Sequence, residues 1–355
     1  MLRRILRATS AIVLMIMGLA GCHAQTHSMC RPTPPMSANP KPSVAGLSLS
    51  RDGNTLVVAG GDAKIRLIDV ASGEVRRILT GHTNAIYRAV FSPDEKLLGS
   101  SSRDLTVRVW DVATGQQLHS FGGFRCSVKA VAFSPDGKLV AGAGNDGMVK
   151  IWDLKSGAEL KSLVHKDSAE IDMSVYSIGF SGDGQKIYAA NGDGTISEWD
   201  VKSGAETKVW KAHGSDVHKL LFSTDYHLLA SQADAAVKLW DTSNWHEMQS
   251  LPMTDQNGVS PRASEIAFSH DGKLIAVTDT GIDPKQNTYA FVRAIVWNAQ
   301  TGEKLFTIGD HKFDIDGLVF SRDDRYLLTG SVDQTIKFWD MKTGQLARTI
   351  SLAGK

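Results

Sequence analysis

The chain has 355 residues, of which 42% are hydrophobic and 22% charged, and a formal net charge of +1. That balance gives no electrostatic argument for nucleic acid, which would want a strongly basic face, and it is ordinary for a globular chain. A length beyond about 250–300 residues outgrows one conventional core, so either several domains or a repeat must organise it.

The first 22 residues stand apart. Arg3, Arg4 and Arg7 form a positive segment, and Ala11 to Ala20 an apolar one, too short to span a bilayer but suited to an export signal. The segment ends in Leu19-Ala20-Gly21-Cys22, which resembles the lipobox of bacterial lipoproteins. That resemblance implies a signal peptide over residues 1–21 and lipidation of Cys22. With His23 next, it implies a place in the bacterial cell envelope, at the outer membrane and facing the periplasm. Residues 22–43 carry Pro32, Pro34, Pro35, Pro40 and Pro42, and read as an extended tether. Cys30 and Cys126 are the other two cysteines. An oxidising compartment permits a bridge between them, but leftover cysteines are more often unpaired, and sequence does not fix the geometry.

From Val44 onward a repeat takes over. Ile68-Asp69, Trp110-Asp111, Trp152-Asp153, Trp199-Asp200, Trp240-Asp241, Trp297-Asn298 and Trp339-Asp340 recur at spacings of 42, 42, 47, 41, 57 and 42 residues. Each unit reads as an apolar strand, a Ser-x-Asp turn such as Ser134-Pro135-Asp136-Gly137, and a second strand. A third strand ends on Trp-Asp, and a Ser-Gly or Thr-Gly turn leads into a fourth. Seven such units predict an all-β, seven-bladed β-propeller over residues 44–355, with four-stranded antiparallel blades, each contiguous in sequence. No strand-like segment precedes Val44, so the ring is expected to close by packing of blades 1 and 7 without a shared strand.

This pattern resembles the WD-repeat family across essentially the whole of residues 44 to 352. The resemblance implies a hydrogen-bonded set in each complete blade: His82, Ser100, Asp104 and Trp110 in blade 2, and His311, Thr329, Asp333 and Trp339 in blade 7. Blade 5 nearly matches, with His213, Ser231, Asp234 and Trp240. Buried imidazole, indole and carboxylate groups need partners, and a chain of them supplies all. Blades 3, 4 and 6 lack parts of the set and are expected to be softer.

Extra length falls in three places: before blade 4, before blade 6, and within blade 6 as a loop over about Asp279 to Tyr289. All three belong to one end of a propeller, and the turns at the other end barely vary. The decorated end is therefore the expected binding face, since loops on a rigid scaffold carry recognition. Its candidate partner-binding residues are Asp167, Glu170, Asp172, Trp210, Arg262, Asp279, Asp283, Lys285 and Tyr289. For Trp210 and for Trp245, the other tryptophan off the repeat, packing against a neighbouring blade is the competing reading.

No nucleophile elbow, phosphate loop or metal-ligand spacing occurs, and the histidines of different blades cannot converge on one ion. The sequence therefore points to a non-catalytic, membrane-anchored, monomeric scaffold. It would have a protein or peptide partner, no cofactor and no nucleic acid. The alternative is an envelope enzyme or small-molecule sensor using the central channel. Convergent carboxylates with shifted pKa values there would favour it.

Overall fold

The structure, a computed structural model, describes residues 42–165, 174–253, 261–262, 265–283 and 288–354. Every regular element in them is a strand. Seven antiparallel sheets follow one another along the chain, all but that of blade 6 four-stranded and in simple up-and-down order. Blade 1 comprises Val44–Leu49, Thr55–Gly60, Lys64–Asp69 and Val75–Thr80. Blade 7 comprises Ile315–Phe320, Tyr326–Ser331, Thr335–Asp340 and Leu346–Ser351. This is the seven-bladed propeller that the repeat predicts.

One local device starts every blade. The serine that ends the first strand donates its hydroxyl to the aspartate two residues on. The pairs are Ser50–Asp52, Ser92–Asp94, Ser134–Asp136, Ser181–Asp183, Ser223–Asp225, Ser269–Asp271 and Ser321–Asp323, at 2.5–2.8 Å. The bond closes the turn and frees the chain to reverse into the second strand.

The core is not one body but seven apolar clusters, one in each seam between neighbouring blades. Each blade thus buries its faces only against its two neighbours. In the closing seam, Val44, Leu56, Val58 and Ile68 of blade 1 meet Leu328, Ile336, Phe338 and Ile350 of blade 7. The first strands approach so closely there that a Cβ on Gly317 would lie 2.5 Å from Leu47 Cγ. Blades 1 and 7 each keep their own four strands, and none is shared among the described residues.

Blade 6 departs from the pattern. Its second strand runs Leu274–Asp283 and its third Thr288–Asn298, 10 and 11 residues against the usual five or six. The insertion expected as a loop is a prolonged β-hairpin. Continuous pairing from Leu274–Asn298 out to Asp283–Thr288 satisfies its backbone, as a loose loop could not. Pro261–Arg262, from the connection into blade 6, pairs alongside at Thr280 and Gly281.

Cys126 is buried and disulfide-bonded, where an unpaired thiol was the commoner expectation. The chain's other cysteines, Cys22 and Cys30, lie outside the described residues.

Candidate binding face and central channel

The repeat histidines and tryptophans are tied up inside the blades. In blade 2, His82 Nε2 and the Trp110 indole N–H both meet Ser100 Oγ, at 2.7 and 2.8 Å, while His82 Nδ1 meets Asp104 at 2.8 Å. Burial opposes ionisation of Asp104, yet the bonds from His82 and Thr106 hold its carboxyl well below the usual range. Blade 7 repeats the arrangement through His311, Thr329, Asp333 and Trp339 at 2.7–2.9 Å. Blade 5 keeps only half. His213 and Trp240 share Ser231 at 2.8 Å each, but Asp234 bonds to His218 at 3.1 Å instead. Burial, helped by the Lys238 charge, pushes His213 down to about 4.

The blades without the full set use other pairs. Blade 1 seats Arg66 on Asp62 at 3.0 and 2.6 Å, both buried, and blade 4 pairs His165 with Glu206 at 2.5 Å. All these groups serve the blade interior.

The decorated end is built around the long blade 6 hairpin. Tyr289 leans onto the connection into blade 7, donating its hydroxyl to Asp314 at 2.9 Å and meeting Phe313 edge-on at 6.1 Å. Both rings remain open to solvent, Tyr289 at 40% and Phe313 at 47%. Below them Phe291 packs over Gly281, with the Arg293 guanidinium 3.9 Å from its ring centroid.

Asp279, a candidate contact residue, is fully buried and bonded to Arg293 at 2.7 Å. Its register position inside the lengthened hairpin faces it inward. Trp210 packs between Trp240 and Trp245, at ring distances of 6.2 and 5.2 Å, so its neighbours are tryptophans of blade 5. Asp167, Glu170, Asp172 and Lys285 lie outside the described residues, as do the side chains of Arg262 and Asp283.

The first strands line a central channel whose chemistry the sequence reading missed. Arg88 of blade 2 forms a bidentate pair with Glu265 of blade 6, one arm at 2.5 Å, and Lys219 of blade 5 joins Glu265 at 3.0 Å. Burial opposes the Glu265 charge, but the two cations hold its pKa below the usual value. Burial and the nearby Arg88 push Lys219 down to about 8. Toward the decorated end, burial, then Asp314 and Glu265, push Asp316 up to about 7, against the pull of Arg88 and Lys129. Lys129 Nζ sits 3.8 Å over the Tyr87 ring.

Arg88, Lys219 and Glu265 share one register position, three residues before the phenylalanine that ends the first strand, and Lys129 and Asp316 share the position before it. The available signal was charge in an otherwise apolar register. Among the described residues no group of three or more His, Cys, Asp or Glu side chains is placed to hold a metal.

Fold and site define a propeller with one ornamented end and a charge-braced channel. The family model described as WD domain, G-beta repeat, matches residues 73–111, 115–153, 161–200, 204–241 and 302–340, more than half of the chain. The chain belongs to the WD40 family.

It is similar to Protein tipD of Dictyostelium discoideum, 28% identical over 144 residues, which is 40% of this chain and 21% of that protein. It is also similar to Protein HIR1 of Phaeosphaeria nodorum, 27% identical over 133 residues, 36% of this chain and 11% of that one. COMPASS component SWD3 of Saccharomyces cerevisiae is 28% identical over 149 residues, 39% of this chain and 43% of its own length. The chain thus spans less than half the length of each of these relatives. All three are eukaryotic proteins, and this corrects the bacterial-envelope address expected from residues 1–23.

Proposed function

We propose that this WD40 propeller is a non-catalytic scaffold that binds a protein or peptide partner at the end carrying the blade 6 hairpin. The observation behind this reading is the exposed Tyr289–Phe313 pair, fixed by the Asp314 bond on a hairpin that no other blade has. Rigid, half-exposed aromatics on a preformed ledge are the usual anchors of a protein interface, because little side-chain freedom is lost when they are covered.

A photo-crosslinking residue at position 313, compared with one at Lys155 on the opposite end, tests the reading. Partners trapped at 313 and lost with Tyr289→Ala support it. The same partners trapped at both positions overturn it.

The channel supports a second reading, a small-molecule sensor, through the shifted Asp316 and Lys219. It ranks lower because Glu265 is already neutralised by Arg88 and Lys219, which makes these charges a brace between blades 2, 5 and 6. For the N-terminus the proposal is a cleaved leader over residues 1–21 and an acylated Cys22 opening a tether to residue 43. Mass spectrometry of the mature N-terminus tests it.

A further inference from the structure

The seven seams are built to one plan, and the one between blades 7 and 1 departs from it in sequence. In six blades the first strand ends in phenylalanine: Phe91, Phe133, Phe180, Phe222, Phe268 and Phe320. That ring packs back into the seam with the preceding blade. Phe133, for example, lies close over Gly99, and Phe222 over Gly179. Blade 1 carries Leu49 instead. The seam between blades 7 and 1 also holds a cavity of about 710 Å³, opening at the end opposite the blade 6 hairpin. Leu49, Val70, Tyr326, Leu328 and Phe338 line it, with Arg348 along one side.

The chain itself shows what such a seam accepts. Between blades 4 and 5, Trp245 occupies the turn position held by Gly73 in blade 1. Each closes the same bond, from Trp245 N to Asp241 O at 2.7 Å and from Gly73 N to Asp69 O at 2.8 Å. Trp245 even keeps the left-handed φ of 61° that suits glycine.

The Trp245 indole lies 4.9 Å from Tyr188, the counterpart of Leu328, and Lys208, the counterpart of Arg348, stands 5.3 Å over it. In the 7–1 seam the cation is present, since Arg348 is bonded to Val70 O at 2.6 Å and lies 5.5 Å from the Phe338 centroid. The wall is present as well; the ring is not.

The charges at the rim define the rest of the ligand. Asp52 and Asp323 are oriented by their own turns, accepting from Ser50 and Asn54 and from Ser321 and the Arg325 backbone, and these bonds hold both carboxyls ionised. Arg322 also lines the cavity, and no hydrogen-bond or ion-pair partner for it occurs among the described residues. The cavity thus offers an apolar slot beside the Arg348 guanidinium, with two turn-bound carboxylates and the uncommitted Arg322 at its mouth.

We propose that the seam between blades 7 and 1 is a binding site for an aromatic ring that carries or adjoins a carboxylate. The ring rests against Leu49 and Leu328 beside Arg348, as Trp245 rests beside Lys208, and the carboxylate meets Arg322. The site is separate from the blade 6 face. Its ligand is either a free aromatic acid or an aromatic residue next to an acidic one in a partner segment, and the two share this chemistry.

The test is calorimetric and NMR titration of the full chain with 3-phenylpropionate, its neutral amide, and hexanoate. The acid is expected to bind with Kd in the millimolar range or tighter, with the amide and hexanoate at least about fivefold weaker. Arg322→Gln, an exposed change, should bring the acid down to the level of the amide. Gly73→Trp, which supplies the ring that Trp245 provides between blades 4 and 5, should abolish binding of acid and amide.

Tighter binding by a peptide with an internal Phe-Asp than by phenylpropionate would assign the site to a partner segment, and the reverse to a free acid. Equal binding of hexanoate and phenylpropionate, or titrations unchanged in Arg322→Gln, would overturn the proposal. So would the lack of any binding at about 10 mM, a concentration that detects even millimolar ligands.

Discussion

Arg88 and Glu265, 177 residues apart in sequence, join blades 2 and 6 across the propeller channel as a bidentate ion pair. Lys219 closes the group from blade 5. A ring held by nearest-neighbour seams alone resists rotation of one blade against the next only locally. The cross-channel pair ties non-adjacent blades directly.

Removing the anion should therefore be worse than removing the whole group. Glu265→Gln leaves Arg88 and Lys219 facing each other in the channel, and is expected to lower stability by about 3 kcal/mol. The triple change Arg88→Met, Lys219→Met, Glu265→Leu should recover most of that loss. Urea unfolding of the two variants checks the order. A milder triple loss fits the brace, and equal losses contradict it.

Asp316 gives the channel a pH dependence of defined sign. Its folded pKa of about 7 lies above the ordinary carboxyl value of 3.8, so the native state binds the extra proton over that interval. The contribution to stability is complete below pH 3.8 and is lost as pH rises through 7. Asp316→Asn should stabilise the protein by about 2 kcal/mol near pH 8 and leave it unchanged near pH 4. Chemical denaturation at the two pH values measures the difference. A stabilisation that is the same at both would mean that Asp316 titrates normally.

The blade 2 relay should fail as a unit. Ser100→Ala strips the shared partner from His82 and the Trp110 indole N–H, both buried. The expected loss is about 2–3 kcal/mol, the cost of orphaned buried polar groups rather than of one hydrogen bond. Ser231→Ala in blade 5 should cost less, because Asp234 is already turned to His218 and His213 lacks that support. Differential scanning calorimetry of the two variants ranks them, and a larger drop in Tm for Ser231→Ala would refute the ranking.

The seam between blades 4 and 5 offers a mirror of the cavity at blades 7 and 1. Trp245→Gly removes the indole from among Tyr188, Trp210 and Lys208 while relieving a left-handed φ. The cavity term of about 3–5 kcal/mol should exceed the backbone relief of about 1 kcal/mol, for a net loss of about 2–4 kcal/mol. Added indole should restore part of the lost Tm in this variant and leave the parent chain unmoved.

Much of the fold was legible because its signals are local. The Ser-x-Asp turn, the Trp-Asp strand end and the Thr-Gly turn each act within a few residues, so seven copies announce seven blades. The His82–Ser100–Asp104–Trp110 relay could be expected too, since all four residues lie within one repeat. Blade 5 broke that expectation at Asp234, where the competing partner, His218, immediately precedes the first strand of the same blade. The blade 6 insertion had the right place and the wrong form. Asp283-Pro284 is a turn signal in sequence, but the pairing of Thr288 with Asp283 that makes a longer hairpin settles only in three dimensions.

The number of blades and their contiguity are written in short-range turns and a fixed period. Which side chains meet across the channel, and where a seam leaves space, follow only once the ring has closed. Arg88 finds Glu265 through ring closure, and the cavity beside Leu49 exists because blades 7 and 1 are brought together from opposite ends of the propeller sequence. Contacts of that kind depend on the curvature summed over seven blades, which no single repeat encodes.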